Sequence, residues 1–415
     1  MRTSVLLTIS GTAFAAGALL VAGTASSQSA GGPPLRYTMD AATMSGFGAM
    51  GAGGSGGGIG AMMSMMSGGA PKPIRMLELR HGASTAPAAA ASAQADHFMP
   101  QGARLGTSLP LLPTTRVAGT KEGSFEQPSG RLLLYWGCSE RGLPGQPVVI
   151  DFAKMAKGQV PPGLYMNPVD LPDDWRISDT NSRTYTAWPN DRETREVPAS
   201  ASLLGAHRIA SNYSKEINFN LAEDFMPALA ARTRAAPAGG YTLAWDGLAK
   251  ATGYYAWAMG AKDVRGSKTP DLVWWASSKQ QAFGGPLWDW ISPAGVRRLI
   301  AAGTVMPPEQ RECAIPAEVV NAAGEAMMVN LQAYGPQADF AYPPRPADAK
   351  KPWKPEWIAR VRFRSSTSVL PGMDMGGMDE GADARDARSS SPPAPRKPKC
   401  RGLKGLAERA AGLCE

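Results

Sequence analysis

Histidine is almost absent from this chain: it occurs three times in 415 residues, as His81, His97 and His207. Acid–base chemistry near neutral pH draws on that side chain more than on any other, so few candidate bases remain. Cysteine is nearly as scarce, with four (Cys138, Cys313, Cys400, Cys414), and no two stand in a C-x-x-C arrangement. That spacing excludes a thioredoxin-type redox motif and a Cys-based zinc site. An even number of cysteines in an oxidising compartment points instead to disulfides, with three connectivities open. Beyond the N-terminal run, no stretch is long and apolar enough to span a bilayer. No Cys follows that run, so there is no lipidation site of the lipoprotein type.

The run itself gives the address. Met1 to Ser10 opens with a positive charge and leads into an Ala/Gly/Leu stretch ending near Val21, the form of a secretory signal. Small residues offer cleavage after Ala25 or Ser27, so residues 1–27 are read as the signal peptide. An uncleaved anchor competes, because Ser4 to Gly23 is close to the roughly 20 apolar residues that cross a membrane. The abundance of Ala, Gly, Ser and Thr in the run favours cleavage. The expected location is extracytoplasmic (periplasm, cell envelope or secreted), with membrane contact only peripheral or through an uncleaved signal. A net charge of +8 and a pI near 9.3 favour anionic partners. Export sets nucleic acid aside and leaves an anionic polysaccharide or an envelope protein.

Residues 28–107 are rich in Gly, Met, Ala and Ser. Such a composition buries too little apolar surface to offset its ordering entropy, so disorder is expected there. One island, Ile74–Arg80, alternates as a strand that pairs with the folded body. Residues 108–234 read as a first β-sandwich domain. Runs of strand length occur at Arg131–Gly137, Gln146–Phe152 and Glu216–Leu221, and a hairpin is expected with arms Ser182–Trp188 and Arg192–Val197. Ala235–Gly240 reads as a linker to a second sandwich over residues 239–370. There Asp271–Ser278, Glu312–Ile315, Met327–Tyr334 and Trp357–Ser365 read as strands, and Ser292–Gly303 carries the cap, proline and terminal glycine of a short helix. Residues 371–415 form a basic tail, with a short helix expected at Leu403–Ala411. The expected fold class is all-β: two antiparallel β-sandwich domains, a short helix in the second, and disordered ends.

Tyr241–Gly260 carries the strongest local pattern. Tyr241, Leu243 and Trp245 share one parity and Tyr255, Trp257 and Met259 another, around turn signals at Asp246-Gly247 and Thr252-Gly253. A strand ending in Trp, a short turn and Ala-Thr-Gly-Tyr-Tyr opening the next strand resemble the B and C strands of a fibronectin type III or immunoglobulin-like module. The resemblance covers these twenty residues and implies a fold without an activity.

Three features are candidates for chemistry. Met62, Met63, Met65 and Met66 in one tract, and Met373, Met375 and Met378 in another, offer thioether ligands suited to Cu(I). The second tract resembles Met-rich segments of exported copper-handling proteins but lacks their histidines, and Met also serves as flexible filler, the favoured reading. Trp274, Trp288 and Trp290 are candidates for a platform that stacks sugar rings, against the favoured alternative of core packing and domain contact. Arg360, Arg362 and Arg364 alternate with Val361 and Phe363. The arginines are read either as a basic solvent face that blocks edge pairing, which is favoured, or as a docking site for phosphate or sulfate. No catalytic residue is assigned. Gly53-Gly-Ser55-Gly-Gly57 matches the nucleophile-elbow pattern in a glycine-only context that the motif does not tolerate. Asp173-Asp174, Glu223-Asp224 and the Asp289 of Trp-Asp-Trp are the carboxylates a glycosidase would draw on, against the favoured reading of caps and solvated turn residues. The reading is a non-enzymatic exported protein of the cell envelope with a binding or structural role and no cofactor. The alternatives are an exported Cu(I)-binding protein and, after it, an envelope carbohydrate-active enzyme.

Overall fold

In a computed structural model of the protein, residues 35–52, 72–88, 91–114, 130–159, 169, 176–262, 269, 271–324, 327–348 and 350–372 are described. They fall in one compact unit. The fold is all-β, and its largest element is a nine-stranded sheet. In spatial order this sheet runs β6 (Val148–Asp151), β5 (Arg131–Trp136), β13 (Asp271–Ala276), β12 (Gly253–Lys262), β15 (Met328–Tyr342), β16 (Trp357–Val369), β1 (Leu35–Gly46), β2 (Ile74–Ala83) and β7 (Thr184–Trp188). The β1–β16 and β5–β13 pairs are parallel, so the sheet is mixed and not antiparallel throughout. Two smaller sheets accompany it: β4 (Leu109–Leu111), β3 (Ala95–Phe98), β8 (Gly205–Ser211) and β9 (Ile217–Leu221), and β10 (Ala231–Ala235), β11 (Tyr241–Trp245) and β14 (Glu312–Ile315). Among the described residues the helices are short: α1 (Phe47–Ala52), α2 (Phe152–Met155), α3 (Pro293–Ala301) and α4 (Ala317–Ala323).

Both smaller sheets pack on one face of the large sheet. That core takes Tyr37, Met39, Leu79, Val361 and Phe363 from the large sheet, Ile209, Ile217 and Phe219 from the four-stranded sheet, and Leu243, Trp245 and Ile315 from the three-stranded one. The opposite face carries a second cluster in which Tyr255, Tyr334 and Leu134 meet Phe283, Leu287, Val296 and Leu299. Helix α3 belongs to that layer and starts as the sequence indicates: the Ser292 hydroxyl accepts the Gly295 N–H at 3.1 Å, and Pro293 opens the first turn.

Several expectations change. The Ala235–Gly240 segment is no linker but the tight turn of the β10–β11 hairpin, closed by the Ala236 N–H bonding the Gly240 carbonyl. The nine-stranded sheet takes strands from both sides of it. Strands β11 and β12 are not a hairpin either: β11 pairs with β10 and β14, while β12 pairs with β13 and β15, so the turn carries the chain from one sheet to another. Residues 192–197 form only isolated bridges, not the second arm of a hairpin. The largest revision concerns residues 28–107, where β1, β3 and a 3-10 turn at Gln101–Ala103 are ordered alongside β2, which falls on the expected Ile74–Arg80 strand. Strand β1 escapes a composition-based reading because seven of its twelve residues are Ala, Thr, Met or Gly. It is nonetheless buried on both faces, and β16 and β2 satisfy both of its edges. The signal peptide, the Ser55 motif and the tail helix with Cys400 and Cys414 lie outside the described residues. Among the described residues, no helix is long and apolar enough to cross a membrane.

All three histidines sit in the interior, at most 2 % exposed. His207 donates through Nε2 to the Leu203 carbonyl at 2.7 Å, so its Nδ1 accepts from His97 Nε2 at 2.9 Å. His97 Nδ1 in turn accepts the Tyr37 hydroxyl at 2.6 Å. His81 bonds the Tyr213 hydroxyl, which also meets Thr186. Burial disfavours the charged form of every ring. Burial lowers the His81 pKa to about 3, and burial first, then the neighbouring His207, lowers that of His97. His207 is lowered by burial as well, against an opposing effect of the Leu203 hydrogen bond.

Two predictions follow from this layout. In the unfolded chain these histidines bind protons below about pH 6.5, while in the folded protein they do not, so stability is full above that pH and falls as pH drops. Urea unfolding at pH 7 and pH 5.5 should show a loss of about 1 kcal/mol from His81 alone over that window, and a flat profile would contradict the neutral network. The Cys138–Cys313 disulfide, with Cα atoms 4.9 Å apart across 175 residues of sequence, ties the end of β5 to β14 and thus one sheet to another. Replacing both cysteines by Ala should lower unfolding free energy by about 2–4 kcal/mol, read by denaturant titration under non-reducing conditions.

Candidate functional site

The second face of the large sheet becomes polar where β2, β1, β16 and β15 meet. Register places Thr38 beside Arg80 and Arg360, Asp40 beside Glu78 and Arg362, and Ala42 beside Arg364. Cross-strand neighbours share a face, so this part of the sheet is a field of charges flanked by the apolar cluster around Tyr334. Asp40 is fully buried and lies between two guanidinium groups. Arg362 reaches it bidentately, with Nε to Oδ1 at 2.7 Å and Nη2 to Oδ2 at 2.9 Å, and Arg80 Nη1 adds a bond to Oδ2 at 2.7 Å. Arg80 also pairs with Glu78, and Arg362 donates to the Trp290 carbonyl at 3.1 Å. Burial works against the charge on Arg80, but Asp40 and Glu78 outweigh it and raise its pKa.

The arginine ladder is therefore not a solvent face. Strand β16 is an inner strand between β15 and β1, with no edge to protect. Arg360 is held by Asp339 at 2.7 and 3.2 Å, Arg362 is buried, and Arg364 donates to the Trp288 carbonyl at 2.7 Å while lying 4.2 Å from the centre of the Trp290 ring. Burial lowers the pKa of Arg364, offset in part by Glu78, Asp40 and Asp289. The expected alternation does hold, with Val361 and Phe363 in the core on the far side.

Two loop segments cover this field. Arg36 donates to the Asn181 carbonyl and side chain at 3.0 and 2.8 Å and draws residues 176–183 over the ends of β1 and β2. Gly82 permits that approach: a Cβ there would lie 2.4 Å from Ser182 Oγ and 2.5 Å from Ile177 Cγ2. Residues 288–291 cover β16, anchored by the arginine-to-carbonyl bonds. Between the two loops and the sheet is a cleft of about 350 Å³ lined by Thr38, Arg80, Arg176, Ile177, Asp289 and Arg362. An ion pair between Arg176 and Asp289 joins the two loops. Thr38 is 2 % exposed, and its hydroxyl has no hydrogen-bond partner among the described residues.

Three of the candidate aromatic residues meet different fates. Trp290 is 5 % exposed and packs beneath Arg362 and Arg364, so it offers no stacking face. Trp274 is half-buried between Phe283 and Trp288, and its indole N–H has no partner among the described residues. Trp288 is 36 % exposed, stacked on Trp274 at 5.5 Å and tilted against Trp257 at 5.7 Å. Gly284, at φ +52°, fits against the Trp274 ring where a Cβ would come within 2.6 Å. Trp275 is fully buried on the other face, as alternation requires. Met62, Met63, Met65, Met66, Met373, Met375 and Met378 lie outside the described residues, as does Asp174. Among the described residues, no cluster of three or more His, Cys, Asp or Glu could hold a metal ion.

The reading of residues 28–107 as mostly disordered concealed Thr38 and Asp40, whereas Arg80 falls in the expected Ile74–Arg80 strand. Alternation within Leu35–Gly46 was the available signal, since its polar parity contains Thr38 and Asp40. No family model matches the chain, and no curated protein or solved structure matches it.

Two substitutions separate the parts of this site. Asp40→Asn leaves Arg362 buried without its countercharge and should cost about 3–5 kcal/mol in denaturant unfolding. Thr38→Val keeps the shape and removes an unpaired buried hydroxyl, so it should stabilise the protein by about 1 kcal/mol. A loss of similar size would mean that the hydroxyl is bonded in the free protein.

Proposed function

We propose that this is a non-enzymatic, exported cell-envelope protein that works by binding, and that the cleft beside Thr38 is where it binds. The observation that carries the reading is the unpartnered, buried Thr38 hydroxyl lining a cleft that three guanidinium groups also line. A buried hydroxyl without a partner costs roughly 1–3 kcal/mol, and a ligand that bonds it recovers that cost. The charged floor beneath it is preorganised, because Asp40 holds Arg80 and Arg362 in place.

The disposition of the ionisable residues supports binding over catalysis. The three histidines are bonded to one another, to tyrosines or to a backbone carbonyl in the interior, away from the cleft. Asp289, a carboxylate that a glycosidase reading would use, is engaged by Arg176. The signal-like N-terminus and the basic charge support export and an anionic partner.

The reading is tested by a thermal-shift panel of small carboxylates, phosphates and neutral sugars, with a parallel screen for glycan hydrolysis. Stabilisation by an anion, reduced in Arg176→Gln and unaccompanied by turnover, is the expected result. Hydrolysis that Asp289→Asn abolishes would replace binding with catalysis.

A further inference from the structure

We infer that the ligand of this cleft is a carboxylate-bearing sugar chain, with the carboxylate between Arg176 and Thr38 and a neighbouring sugar ring on Trp288. This rests on the binding reading above and adds the class of ligand. Charge selects the carboxylate. Five guanidinium groups (Arg36, Arg80, Arg176, Arg362, Arg364) share this region with four carboxylates (Asp40, Glu78, Asp179, Asp289), leaving one positive charge, and the neighbouring Arg360–Asp339 pair adds none. A singly charged carboxylate neutralises that excess. A phosphomonoester dianion overshoots it, which a partly buried site penalises.

The donors differ in how readily they change partner. Asp40 is fully buried and takes three charge-assisted bonds, so the ligand does not displace it from Arg80 or Arg362. The Arg176–Asp289 pair is different: its side chains are 70 % and 33 % exposed. Pairs of that kind are worth only about 0–1 kcal/mol, so a ligand carboxylate can take Arg176 from Asp289 at little cost. The released Asp289 carboxylate is then an acceptor for a sugar hydroxyl, and the Thr38 hydroxyl donates to the bound carboxylate from the floor.

Trp288 supplies the second contact. It directly precedes Asp289, and its ring is fixed by stacking on Trp274 and by Trp257 while the residue stays 36 % exposed. A rigid indole presenting an apolar face beside polar groups suits the C–H face of a sugar ring. The cleft sits over β1, β2 and β16, whereas Trp288 packs against Trp257 of β12, with β15 between. At about 4.8 Å per strand, the two contacts are on the order of 10–15 Å apart. A single small acid does not reach both, and an extended oligosaccharide does.

Isothermal titration of the full-length protein with free galacturonate, a short oligogalacturonate, a neutral galactooligosaccharide and inorganic phosphate tests this. The oligogalacturonate should bind tighter than the monomer, and salt should weaken it. Arg176→Gln should weaken both acids about tenfold, as expected for a charged hydrogen bond. Trp288→Ala should weaken the oligomer alone. Both residues are exposed, and unchanged melting temperatures would confirm that the variants fold. Equal binding of the neutral oligosaccharide, or oligomer binding insensitive to Trp288→Ala, overturns the inference. Binding of phosphate or free galacturonate without any gain for the oligomer overturns the sugar chain and leaves the anion cleft standing. Binding of none of the four overturns both.

Discussion

The buried Asp40 carboxylate, held by Arg362 on one neighbouring strand and Arg80 on the other, is the interaction on which this part of the molecule depends. It sits on β1, which is inserted between β16 and β2, so one side chain fixes three strands from distant parts of the sequence. The arrangement is costly to desolvate, and an apolar replacement of the whole set is often neutral or better for stability. Its presence is therefore weak evidence for stability. It is better evidence for position: with Asp40 in place, the guanidinium groups are aimed and ordered before any ligand arrives.

The same constraint governs the loops. Arg362 and Arg364 spend donors on the carbonyls of Trp290 and Trp288, which draws the Trp-Asp-Trp segment down onto β16. One consequence is that Trp290 is buried beneath cations. The other is that Trp288 is left projecting, where the Trp274 and Trp257 rings hold it. A charged floor and an aromatic wall thus share one anchor. This is why the arginine ladder and the tryptophans, which look like separate features along the sequence, belong to one surface.

Much of the strand content was legible in the sequence. Glu216–Leu221 and Arg360–Ser365 alternate cleanly and Asp271–Ser278 holds an apolar run of strand length, and the structure has β9, β16 and β13 there. The Ser292 cap and Pro293 marked α3 to within a residue or two. Pairing was not legible, because local alternation says nothing about which strand lies alongside. Tyr241–Gly260 reads as two strands around a turn, and only tertiary structure reveals that the turn changes sheets. Strand β1 was missed for a different reason. Its small residues carry little hydrophobic signal, and its order comes from two hydrogen-bonded edges and from Asp40, none of which a composition count detects. Half of the candidate site went with it, while the half on β16 and the Trp segment was visible but read as solvent face and core.

The central claim is that this polar sheet face is a ligand site with Thr38 at its floor. A crystal structure of the protein with bound oligogalacturonate tests it most directly. The account predicts a carboxylate within hydrogen-bond distance of Thr38 Oγ1 and Arg176, a sugar ring on Trp288, and Asp40 unmoved between Arg80 and Arg362. A ligand bound elsewhere, or a Thr38 hydroxyl bonded to the protein itself and apart from the sugar, would contradict it.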